Sequence, residues 1–173
     1  MDVFDVFEKE NHLKPDFDKK KFSVLKGWDL GWELLEPINI AQSPDDDKEL
    51  SKRFSEGQKA LYFFWYLDAQ VINGGFFQFY WNGFRNYLPT IKKGLSLIGD
   101  NALIDLIDLA DKYYTSNQSQ FQTLWKSGDY SAANEVLPEF DTYDDIYYQI
   151  HDNTMECLET YARNFPDEFV NFK

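Results

Sequence analysis

The sequence predicts an all-α fold, a single compact domain of several helices joined by short loops. Three observations predict it. Helix start and stop signals recur along the chain, alternating runs of β-branched residues are scarce, and residues 141–163 carry apolar side chains at helical spacing. The 173 residues include 16 Phe, 11 Tyr and 5 Trp, ample material for one core.

The front of the chain, with Gly27-Trp28 and Gly31-Trp32, gives the weakest signals. Ser43 and Pro44 followed by Asp45, Asp46 and Asp47 form an N-cap, a proline at the first helical position and acids facing the positive end of a helix dipole. A long helix is expected to carry residues 59–72 and to end at Asn73-Gly74-Gly75, where Asn and Gly tolerate the left-handed closing conformation. Another covers 76–82 and stops at Gly83. Leu88–Ile98 reads as helical beyond Pro89, and Gly99-Asp100 caps a helix over 101–113. Short helices over 119–126 and 130–136 lead to a last long one over 142–164, stopped before Pro166.

The net charge is −13, from 30 acidic and 17 basic side chains. Binding to duplex DNA needs clustered Lys and Arg to displace counterions, so the sign of the charge argues against direct nucleic-acid binding. It argues equally against anionic membranes, and leaves basic proteins or cations as partners, or a role in solubility alone. The charge is also uneven. Residues 1–60 hold 14 acids against 10 bases, 61–100 hold 2 against 3, and 101–173 hold 14 against 4. One domain therefore has a mixed-charge front, an apolar middle and an acidic end, with no Gly/Ser-rich or Pro-rich linker between them. Cys157 is the single cysteine and fits a reducing compartment. The opening MDVFDVFEKENH lacks the basic and apolar regions of a secretory signal. The longest apolar stretch, 60–67, is far short of the roughly 20 residues of a membrane span, so a cytoplasmic location is expected.

On a helical wheel, Asp141, Asp145, Asp152, Glu156 and Glu159 fall within an arc of roughly 60°, with Asp144 just beside them. Tyr143, Ile146, Tyr147, Ile150, Cys157, Leu158 and Tyr161 collect on the opposite side. A solubilising face usually mixes signs, because like charges at i, i+4 cost a few tenths of a kcal/mol. Here Asp141/Asp145 and Asp152/Glu156 are like-charged pairs at that spacing, and only Arg163 offsets Glu159. The row would extend about 27 Å, with neighbouring carboxylates about 6 Å apart in places, comparable to phosphates along one DNA strand. Asp105, Asp108 and Asp111 form a second row, and Glu135 and Glu139 add charge before the last helix.

The least generic stretch is DAQVINGGFFQFYWNG over 68–83, whose polar members Asp68, Gln70, Asn73, Gln78 and Asn82 are set among large aromatics. Asn73-Gly74-Gly75 predicts a tight helix-to-helix corner, with the amides tying off backbone groups freed there. This NGGF-x-QF-x-WN run resembles a family of small bacterial helical proteins, formerly of unknown function, that includes a DNA mimic. The motif marks the fold, while mimicry rests on the acidic rows at Asp105, Asp108, Asp111, Glu135, Glu139, Asp141, Asp144, Asp145, Asp152, Glu156 and Glu159. The resemblance implies a homodimer that occupies the DNA-binding face of a basic DNA-binding protein, a transcription factor or a nucleoid protein.

Enzyme signatures are lacking. His12 and His151 stand in no metal-ligand pattern, and Cys157 falls on the apolar face of its helix. The 45–47 run lacks calcium-loop spacing and is expected to be helix-terminal charge. No metal, cofactor or catalytic residue is expected. Two other functions compete with mimicry: a ligand-binding or catalytic domain centred on Asp68, Gln70, Asn73 and Gln78, and an immunity-type inhibitor of a basic protein using the same acidic surface. Tyr148, near the row, could add apolar contact.

Overall fold

The computed structural model describes residues 10–173, without the side chains at 44 and 132–134; most of the opening segment read for a signal lies outside this range. Along the chain run β1 (Asp16–Phe17), α1 (Lys19–Val24), α2 (Gly27–Leu35), α3 (Pro44–Ser51), α4 (Glu56–Trp81), α5 (Leu88–Ile98), α6 (Asn101–Ser116), α7 (Gln118–Ser127), α8 (Tyr130–Val136), α9 (Glu139–Asn164) and β2 (Asn171–Phe172). Short 3₁₀ turns follow α2, α4 and α9. The fold is all-α; the only strand pairing among the described residues joins β1 and β2 in parallel, two residues each. No helix among the described residues is long and apolar enough to cross a membrane.

The punctuation in the sequence acts where it was expected. Ser43 caps α3 by accepting the Asp46 N–H, and Asp100 caps α6 by accepting the Leu103 N–H. Gly83, Gly99 and Gly128 take positive φ at helix boundaries. The weakly read front forms α1 and α2, and its tryptophans pack together, with Trp28 stacked on Trp65 of α4 at 5.0 Å between ring centres. A capping box present in the sequence, Ser55 with Gln58, starts α4 three residues before the expected 59.

The central helix is α4, packed against α5, α9 and α2. Residues 57–64 are buried on every side, as befits a helix surrounded by others. Gly94 of α5 lets the two helices close: a Cβ there would come within 2.7 Å of the Ala60 backbone. Near its end α4 kinks at Gly74 and Gly75. Gly75, with φ 75° and ψ 179°, occupies backbone space that side-chain-bearing residues avoid. The expected corner is therefore present as a break in helical geometry at Gly74 and Gly75, with a short arm over 76–81 continuing beyond it.

Three buried aspartates hold the helices in register. Asp47 accepts hydrogen bonds from the hydroxyls of Tyr62 (2.5 Å), Tyr66 (2.8 Å) and Tyr87 (2.8 Å). It stands in the acidic first turn of α3 with Asp45 and Asp46, and is at the same time buried as the acceptor of a tyrosine cluster. Asp68 accepts from Tyr147 Oη at 2.6 Å and lies 2.9 Å from His151 Nε2. Asp100 accepts from Thr154 Oγ1 at 2.5 Å besides capping α6. The last two tie α4 and α6 to the inner side of α9.

Candidate functional site

The α9 helix begins at Glu139, three residues before the expected start, and is amphipathic. Phe140, Tyr147, Thr154, Met155, Leu158 and Ala162 are buried, while Asp141, Asp145, Asp152 and Glu156 face solvent. Asp152 is fully exposed, with His151 Nδ1 3.9 Å away. Glu139 is exposed beside Tyr113 and Tyr143, whose hydroxyl pKa values are raised by burial and by its charge. Glu135, on α8, is exposed as well.

Two members of the expected α9 row also serve the fold. Asp144 accepts the Phe76 N–H at 2.7 Å, capping the short arm of α4 at its kink. A Cβ on Gly75 would fall inside its carboxylate. Burial pushes its pKa up to about 6; the Phe76 N–H pulls the other way, and Asp141 and Asp145 add to the rise. Glu159 accepts the Gly27 N–H at 2.6 Å at the start of α2 and pairs with Arg163 at 2.8 Å. Burial alone would raise its pKa, but those two contacts hold it below the usual range. Arg163 in turn donates to the carbonyls of Phe22 and Leu25 at the end of α1.

The second row also differs from the sequence picture. Asp111 forms a two-point pair with Arg85 (2.7 and 3.0 Å), and Asp108 pairs with Lys92 at 2.8 Å. Asp105 is exposed. Cations from α5 and the turn before it therefore offset two of the three charges, contacts that a wheel drawn for α6 alone does not contain.

At the kink, the tying-off falls to residues of α8 and α9, not to the amides. Besides the Asp144 cap, Tyr130 Oη donates to the Gly74 carbonyl at 3.2 Å, and Tyr148 Oη lies 3.4 and 3.5 Å from the carbonyls of Ile72 and Val71. The amides bond one another. Gln70 Oε1 accepts from Gln78 (3.1 Å) and Asn82 (2.7 Å), and Gln78 Oε1 accepts from Asn73 (2.9 Å). Asp68 sits apart, buried under Tyr147 and His151, where the Asp68 hydrogen bond raises the imidazole pKa. A small, partly open apolar cavity lies elsewhere, between α2, α4 and α9, and at about 10 Å³ holds no more than one water. Cys157 is half-buried, its thiol pKa raised by burial.

The motif and the acidic helix thus form one unit, with the kink of α4 as the socket for α9. A sequence model of the DMP19-like protein family matches residues 52–165, from just before α4 to the end of α9. The chain belongs to the DMP19-like family. It is also 27% identical, over 120 residues, to the DNA mimic protein DMP19 of Neisseria meningitidis serogroup B (strain MC58). That alignment spans 68% of this chain and 73% of the relative. The family match covers the kink and the residues that dock α9 there, Asp144 among them.

Proposed function

We propose that this DMP19-like chain is a DNA-mimic regulator, whose acidic surface occupies the DNA-binding face of a transcription factor or nucleoid protein and blocks its binding to DNA. The observation that carries this reading is the set of solvent-facing carboxylates on α9, Asp141, Asp145, Asp152 and Glu156, displayed at helical spacing without a Lys or Arg partner among the described residues. Asp105, Glu135 and Glu139 extend the set. Asp111, Asp144 and Glu159 contribute to the field while serving as struts. The name of the Neisseria relative points the same way.

Carboxylates standing in for phosphates would attract Lys and Arg over a Debye length of about 8 Å at physiological salt, giving fast, salt-sensitive association. Competition with DNA follows, since one basic surface serves both. The family resemblance extends the proposal to a homodimer, and the sequence reading extends it to action in the cytoplasm. Light scattering on the purified protein reads the mass directly.

The test begins with capture from lysate at low salt, elution by a salt step and identification by mass. The captured protein is then titrated with its DNA in the presence of wild type or of the triple variant Asp145→Asn, Asp152→Asn, Glu156→Gln. The wild type should displace DNA, and the folded triple variant should not. Full competition by the triple variant overturns the assignment of this face. An immunity-type inhibitor would use the same surface, and the identity of the captured protein separates the two.

A further inference from the structure

The four amides of the central motif form a row, and the row has defined ends. It runs Asn73, Gln78, Gln70, Asn82 through three hydrogen bonds. Next to Asn73 stand Ile72 and Tyr148, both about half exposed, with Tyr148 Oη 3.4 Å from the Ile72 carbonyl. Next to Asn82, Trp125 donates its indole N–H to the Trp81 carbonyl at 3.1 Å and is itself 55% exposed. An exposed aromatic therefore closes each end, and Tyr148 stands between Asp145 and Asp152 on α9. The amide row and the carboxylate row share that tyrosine.

The amides keep hydrogen-bonding capacity beyond these internal bonds. Each internal bond uses one N–H or one carbonyl oxygen, which leaves both N–H groups of Gln70 and the side-chain carbonyls of Asn73 and Asn82 to be satisfied from outside. The internal bonds also fix which way each group faces, so little ordering remains when a partner arrives. Fixed donors and acceptors beside a row of anions reproduce the two parts of a DNA groove, base edges and phosphates.

Building on the mimic reading, we propose that this amide row, bracketed by Tyr148 and Trp125, selects the partner: it receives the base-reading Asn, Gln or Arg side chains of a basic DNA-recognition helix while the α9 carboxylates receive its phosphate-binding cations. The occupant is a helix because one amphipathic helix can present both kinds of side chain along one face. Its positive charge matches the acidic rail beside the row. Tyr148 and Trp125 supply the rigid aromatic contact typical of residues that dominate interfaces.

The test uses two synthetic helical peptides with the same Arg and Lys content, one carrying Gln and Asn on the same face and its twin carrying Ala at those positions. Wild-type protein should bind the Gln/Asn peptide about fivefold more tightly, the lower end of what one two-point amide contact discriminates. Raising salt should weaken both peptides while preserving their ratio. The double variant Asn73→Ala, Asn82→Ala should lose the preference and keep the salt-sensitive binding, its fold checked by thermal melting. Equal binding of the two peptides by wild type, or a preference kept in the folded double variant, overturns the amide proposal and leaves the acidic face standing. Failure of both peptides to bind at low salt overturns the acidic-face reading and the amide proposal with it. The wild-type comparison decides even if the double variant fails to fold.

Discussion

Asp68 and Asp100 carry the same functional group as Asp145 and Asp152, yet the two pairs live in opposite surroundings. The first pair is buried and accepts from hydroxyl, imidazole or backbone donors; the second faces water without a Lys or Arg partner among the described residues. Through Tyr147, His151 and Thr154 the buried pair holds the inner side of α9, and that grip sets which residues of α9 point outward. The buried acids aim the exposed ones. Counting carboxylates therefore says little about function, whereas counting the donors around each carboxylate separates struts from displayed charge.

The sharpest way to break this comparison is to remove a buried member. Asp100→Ala deletes the α6 cap and strands the Thr154 hydroxyl, and should cost about 2–4 kcal/mol in urea unfolding. A loss under about 1 kcal/mol would mean that Asp100 contributes little to holding α9. Gly75→Ala comes next. It forces a side chain into positive φ and into the Asp144 carboxylate, and should cost about 1–3 kcal/mol while loosening α9, seen as faster amide exchange at its N-terminal end.

Asp144 lies between the two classes and sharpens the distinction. Asp144→Ala should cost about 1 kcal/mol as a lost cap. Asp144→Asn keeps an acceptor for Phe76 and removes the buried charge. Because the folded pKa is raised to about 6, the native state takes up this proton before the unfolded chain does, so the charge lowers stability above pH 6 and the penalty fades toward pH 4. The Asn variant should therefore gain on wild type at pH 7.5 and lose that advantage near pH 4.5. A constant difference across this range would contradict the assignment. The smallest effect belongs to the displayed set. The triple change at 145, 152 and 156 should shift stability by no more than about 0.5 kcal/mol, since it relieves like-charge crowding and breaks no hydrogen bond.

Local punctuation made much of the fold legible. Leu88–Ile98 and Tyr130–Val136 were bounded correctly because Pro, Gly and polar caps lie within a few residues of each helix end. The Ser55–Gln58 capping box is equally local and places the start of α4 at Glu56. The acidic face of α9 was legible as a wheel, since its carboxylates belong to one helix. What the wheel could not hold was contact with other elements. Asp144 meets Phe76 across 68 positions and Glu159 meets Gly27 across 132, and no periodicity encodes such pairings. Likewise, Arg85 and Lys92 were visible as cations, but only the packing of α5 against α6 brings them to Asp111 and Asp108.

The kink at Gly74 and Gly75 has a consequence for how such a protein can change. From α9, Asp144 accepts the Phe76 N–H and Tyr148 lies against the carbonyls of Ile72 and Val71, while Tyr130 of α8 holds the Gly74 carbonyl. Among the described residues, Asp141, Asp145, Asp152 and Glu156 make no contact of that kind. One chassis can therefore carry different liveries: repainting 141, 145, 152 and 156 would convert a decoy for one basic protein into a decoy for another, or into an inert relative, without the helix leaving its seat.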